Sequence, residues 1–167
     1  MRREDRAGKK LRSMTSVYFV GEEAILCLYR IGSRIADGMY VGAAGGHFEE
    51  GELDDPHGCV LREMKEELGL EPEDVADLRL RYITHRLKNG EIRQNYYFFG
   101  RLRGSCPKDS TEGILEWIPR EGFEKLPMPV SAKHMILHYL STGQYDDDIY
   151  AGITRESGTD FVAMEEF

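Results

Sequence analysis

Lys88-Asn89-Gly90 separates two long runs rich in β-branched and aromatic residues, 78–87 and 91–102. Asn-Gly is the preferred sequence of a two-residue type I′ turn, because both central residues take positive φ. The chain is therefore committed to a long antiparallel hairpin. Around it, 15–20 and 24–29 flank Gly21-Glu22-Glu23 and read as a second, tighter hairpin. Residues 114–118 read as a further strand, and Asp160-Phe161-Val162 as a terminal edge strand. Asp55-Pro56 is a helix start, since Asp caps free amides and Pro at the first helical position gives up no intrahelical donor. That helix runs to about Leu68 and stops at Gly69; a second has helical spacing over 131–140, after Pro127 and Pro129.

A chain of 167 residues with 41% hydrophobic content fits one domain with one real core. Its 22 basic and 30 acidic residues give a formal charge of -8, which opposes nonspecific binding to duplex nucleic acid. A small anionic substrate then needs a local cation. Cys27, Cys59 and Cys106 are odd in number and lack CxxC spacing, so they read as reduced thiols rather than a disulfide or zinc framework. No apolar run approaches the ~20 residues of a membrane span, and the expected location is cytoplasmic. Residues 1–13 are basic and polar and read as a disordered arm before a single domain over 14–167. The acidic end, 142–167, can pack on its own domain, pair with another subunit or stay mobile; oligomeric state is open at this level.

The chemistry lies between the strands. Gly45-Gly46-His47-Phe48-Glu49-Glu50-Gly51-Glu52 is followed, after nine residues, by Arg62-Glu63-Met64-Lys65-Glu66-Glu67-Leu68-Gly69. Glu63 and Glu67 are same-face neighbours, and like charges at that spacing destabilise a helix by roughly 0.2–0.5 kcal/mol. Taken alone, such a helix is either a solvated face or an acidic site awaiting compensation. A hard divalent cation compensates, because Mg²⁺ is held by a few carboxylate oxygens while water and phosphate complete its shell. Gly45 and Gly46 allow backbone to approach an ion or phosphate closely, and the Gly46 carbonyl is a further candidate ligand. Arg62 and Glu52 are suited to a bidentate ion pair tying loop to helix.

These residues resemble the Nudix box: glycine, five residues, glutamate, seven residues, then Arg-Glu-apolar-any-Glu-Glu-any-Gly-apolar. Every specified residue is present; the departure is the second spacer, nine residues instead of seven, which a loop insertion of Leu53-Asp54 absorbs ahead of Asp55-Pro56. The resemblance implies an α/β/α sandwich with a mixed sheet, a loop-helix-loop site and hydrolysis of a nucleoside diphosphate linked to a further group. It implies that Glu63, Glu66 and Glu67 bind Mg²⁺, with Mn²⁺ as an alternative. The general base is either Glu63 or Glu112, whose place before Leu115-Glu116-Trp117 resembles the distant loop glutamate of MutT-type members. The segment after Glu112 also resembles MutT-like proteins, which favours a nucleoside triphosphate cleaved to monophosphate and pyrophosphate, with 8-oxo-dGTP as a candidate. Alternatives are another substrate such as ADP-ribose, against which the absence of proline over 77–87 argues, or a non-catalytic nucleotide-binding domain. His47 is a candidate phosphate contact; Phe48, Tyr97, Trp117 and Tyr18 are candidates to contact the base, each with core packing as the competing role.

Overall fold

The structure, a computed structural model, describes residues 10–34, 36–107 and 110–167. The strands are β1 (Lys10–Val20), β2 (Ala24–Arg30), β3 (Tyr40–Gly42), β4 (Ala44–His47), β5 (Val75–Lys88), β6 (Glu91–Leu102), β7 (Gly113–Pro119), β8 (Tyr150–Arg155) and β9 (Gly158–Ala163). The helices are α1 (Pro56–Leu68) and α2 (Val130–Ser141). Among the described residues the strands form one sheet in the order β3-β2-β1-β6-β5-β8-β9, with β4 paired to β1 and β7 to β2. Pairing is parallel for β1–β6 and β5–β8 and antiparallel elsewhere, so the sheet is mixed.

Side-chain alternation divides the core between the two faces. Val17, Phe19, Leu26 and Phe98 pack with Val60, Met64 and Leu68 of α1. Tyr18, Cys27, Tyr82, Tyr97 and Phe99 pack with Met135, Ile136 and Tyr139 of α2. The result is the expected α/β/α sandwich. The β5–β6 hairpin turns where the sequence requires it, with Asn89 at φ 52° and Gly90 at φ 74°.

Two expectations need correction. Residues 10–13, assigned to the arm, are the start of β1: Lys10, Leu11, Arg12 and Ser13 pair with Glu91, Ile92, Arg93 and Gln94. Their polarity reflects a strand end facing solvent, not lack of structure; residues 1–9 of the expected arm lie outside the described residues. The acidic end contains two strands rather than one, and β8 is fixed by parallel pairing of Tyr82 with Tyr150. Gly152 is required there, because a Cβ would sit 2.7 Å from the Phe161 ring. Asp146 accepts a bond from buried Arg81 at 2.9 Å, so this segment packs on its own domain.

Candidate active site

Local chemistry sets both ends of α1. Asp55 Oδ1 accepts the Gly58 amide at 2.9 Å, Pro56 occupies the first turn, and Gly69, at φ 67°, returns its amide to the Lys65 carbonyl at 3.0 Å. Ahead of the helix, Glu50–Glu52 forms a 3₁₀ turn and the Asp55 amide donates to the Glu52 carbonyl at 2.9 Å, so Leu53-Asp54 is taken up as a turn. The insertion leaves the Glu52 side chain aimed at α1.

Arg62 is the hub of the loop-helix contact. Its Nε and Nη2 donate to the two oxygens of Glu52 at 2.5 and 3.0 Å, and Nη2 also reaches the His47 carbonyl at 3.1 Å. Nη1 donates to Glu63 at 2.9 Å and to Glu66 at 3.1 Å. This hydrogen bonding holds the Glu52 carboxyl down at about 2, below the ordinary carboxylate range.

The glycines serve close approach. A Cβ on Gly46 would occupy the place of the Glu63 carboxylate, and one on Gly45 would lie 2.8 Å from the Ser16 Cα. The Gly45 amide donates to Glu67 Oε2 at 3.1 Å. Burial raises the Glu67 carboxyl to about 7 against the pull of that amide, and the charges of Glu63 and Glu112 push the same way. Burial also raises Glu63, opposed by Arg62.

Glu63, Glu66 and Glu67 supply the expected acidic edge of α1, although among the described residues no three potential ligands already converge as a bound ion requires. The reason is visible: Glu63 and Glu66 turn to Arg62 while Glu67 turns to the Gly45 amide. An all-oxygen donor set, two of its carboxyls held above their ordinary range by burial, and a cradle without Cβ at Gly46 suit a hard divalent cation.

Glu112 joins this site from across the sheet. Its Oε2 is 3.3 Å from Arg30 Nη2, its amide donates to Ser110 Oγ at 3.1 Å, and its carbonyl accepts the Ile31 amide at 3.4 Å. Glu112, Glu67, Gly45, Ser16 and Arg30 line one cavity of about 70 Å³. Arg30 was not singled out from sequence; its only signal there is a charge ending an apolar strand.

The remaining candidates separate. His47 and Phe48 lie in a groove with Arg12 and Glu91, and Phe48 packs against Tyr96 with ring centroids 5.3 Å apart. Tyr97 and Tyr18 are corrected to core residues, at 3% and 0% exposure beneath α2. Trp117 is half-exposed but packs beside Gly21, four residues along β7 from Gly113, roughly 13 Å from the Glu112 end. Tyr97 thus offers no open face to a base, and Trp117 is set apart from Glu112 along β7.

The family profile for the NUDIX domain matches residues 10–139, which spans most of the chain. The chain belongs to the Nudix family. Membership carries the enzyme class, a pyrophosphohydrolase acting on phosphoric anhydride bonds. No curated protein matches the chain in sequence. Among solved structures, the mutator MutT protein of Bacillus halodurans is similar with TM-score 0.67 at 23% identity, covering 91% of this chain and 97% of that one. An Ap4A hydrolase of C. elegans is similar with TM-score 0.62 at 15% identity, covering 82% and 99%. The NUDIX domain of Shewanella oneidensis NrtR, complexed with ADP ribose, is similar with TM-score 0.60 at 10% identity, covering 87% and 94%. At these identities the likeness is one of fold. No described helix of this Nudix protein is long and apolar enough to cross a membrane.

Proposed function

We propose that this Nudix protein hydrolyses a nucleoside triphosphate, with 8-oxo-dGTP as a candidate, to monophosphate and pyrophosphate by attack of water at phosphorus. The observation that carries the reading is the meeting of Glu112 and Glu67, far apart in sequence, in one cavity beside Gly45. Glu63, Glu66 and Glu67, with the Gly46 carbonyl, would hold Mg²⁺ or Mn²⁺. A bound ion supplies charge neutralisation at the transferring phosphoryl group and a more acidic water.

Glu112 is the proposed general base. Glu63, the competing candidate, is bonded to Arg62 at 2.9 Å and pressed against Gly46, whereas Glu112 faces the cavity with Arg30 at its side. Arg30 and the Ile31 amide orient Glu112, and Arg62 fixes the glycine loop against α1. His47, in the neighbouring groove with Arg12, is the candidate phosphate contact. The reaction is tested by running it with 8-oxo-dGTP and dGTP in ¹⁸O-labelled water with Mg²⁺ and separating the products. One label in monophosphate or pyrophosphate, with no other nucleotide formed, supports the reading. Release of inorganic phosphate alone, or no turnover, contradicts it.

A further inference from the structure

Strand register gathers cationic side chains into rows at one end of the sheet. Arg12 of β1 pairs with Arg93 of β6, and Arg93 pairs with Arg86 of β5. Three arginines therefore stand abreast on one face of three neighbouring strands. The row beyond is Lys10, Glu91 and Lys88. Like charges directly opposite one another destabilise a sheet. The two rows contain one carboxylate, Glu91, whose oxygens lie 3.2 Å from Arg93 Nε and 3.6 Å from Arg12 Nε. Arg86 has no carboxylate within ion-pair distance among the described residues. In a chain of formal charge -8, five cations around one carboxylate form a local reversal of sign.

This end of the sheet adjoins the active-site loop. His47 pairs with Met14 and Gly45 with Ser16, so Arg12 is offset along β1 by roughly 7 Å from His47 and roughly 13 Å from Gly45, with Arg93 and Arg86 one and two strands farther across the sheet, roughly 5 and 10 Å from Arg12. Arg12 and His47 share a groove of about 340 Å³ with Phe48 and Glu91.

We propose that the Arg12–Arg93–Arg86 row is a second anion subsite of the active-site cleft, binding a phosphoryl group beyond the scissile anhydride. The chain then selects nucleotides with three or more consecutive phosphates over diphosphates joined to a neutral sugar. The selection among substrates rests on the anhydride-hydrolase reading above; the anion subsite itself does not. Guanidinium groups present paired donors to phosphate oxygens, and an incoming phosphate relieves the repulsion along the row. A neutral distal group does neither.

The test is calorimetric titration of the full chain, in Mg²⁺, with inorganic tripolyphosphate and with pyrophosphate. Wild type should bind tripolyphosphate roughly tenfold more tightly, the worth of one added charge-assisted contact. Arg86→Gln/Arg93→Gln should lose that preference while keeping its pyrophosphate affinity, and Arg86→Gln alone should lose part of it. Arg86→Gln should melt no lower than wild type, because it removes a like-charge neighbour and no ion pair, whereas the double variant also gives up the Arg93–Glu91 pair and is compared with wild type only at a temperature where both are folded. Equal affinity of wild type for the two anions, or unchanged tripolyphosphate affinity in the double variant, would overturn the subsite. Catalysis is read separately, as kcat/KM for dGTP against ADP-ribose. Loss of the dGTP preference in the double variant supports the substrate selection, its retention overturns it, and absence of any turnover contradicts the hydrolase reading while leaving the titration to judge the subsite.

Discussion

Replacing Arg62 with alanine removes a cation that faces four glutamates, Glu49, Glu52, Glu63 and Glu66. The side chains of Arg62, Glu52 and Glu63 are 21%, 14% and 11% exposed, so solvent replaces the lost bonds only in part. A net hydrogen bond to a charged group contributes about 1.5–3 kcal/mol, and removing one partner of a buried ion pair costs about 3–5 kcal/mol. Because the bonds to Glu52, Glu63 and Glu66 share one guanidinium, they do not add; the expected loss for Arg62→Ala is about 3 kcal/mol. In a domain of this size that is a fall of roughly 10 °C in Tm. Circular-dichroism melts in EDTA at neutral pH measure it. Mg²⁺ should restore more stability to the variant than it adds to wild type, since it supplies the missing positive charge. Acid should weaken wild type by the same route: the Glu52 carboxyl is lowered to about 2, so its contribution is complete above the ordinary carboxylate range and is lost as pH falls from there toward 2. Arg62→Ala should abolish that component. A melt within about 2 °C of wild type would refute the view of Arg62 as the clamp between loop and helix.

Glu67 titrates at about 7 in the metal-free protein, so its charged, ion-binding form grows as pH rises through that value. Mg²⁺ affinity should increase roughly tenfold between about pH 6 and 8, and Glu67→Gln should flatten the profile in calorimetry. Glu112→Gln should lower kcat by about 10²–10⁴-fold with Mg²⁺ affinity unchanged; loss of Mg²⁺ binding instead would make Glu112 a ligand rather than the base. Glu66→Gln should remove most metal-dependent turnover while the melt stays near that of wild type. Trp117→Ala should leave KM for dGTP within about twofold, because Trp117 sits at the far end of β7; a large rise in KM would return it to the substrate cleft.

The features legible in the sequence were those fixed by local chemistry. Asn89-Gly90 set the hairpin, Asp55, Pro56 and Gly69 set α1, and Glu52 and Arg62 were matched despite the insertion because a 3₁₀ turn absorbs two residues without turning Glu52 away. What escaped depends on contacts distant in sequence. The polarity of residues 10–13 concealed a strand whose partner is β6, and β8 exists through parallel pairing with β5. Tyr97 and Phe48 look alike as strand aromatics, yet α2 covers one and not the other. The arginine row appears only when β1, β6 and β5 are laid side by side.

The central claim, that the carboxylates of α1 hold a divalent ion for hydrolysis of a phosphoric anhydride, is met most directly by one assay. The purified protein is incubated with 8-oxo-dGTP, normal dNTPs, ADP-ribose and dinucleoside polyphosphates, with Mg²⁺ or with EDTA, and the products are separated by chromatography. The account predicts monophosphate and pyrophosphate from a triphosphate in Mg²⁺ and nothing in EDTA. Absence of metal-dependent cleavage across the whole panel would contradict it.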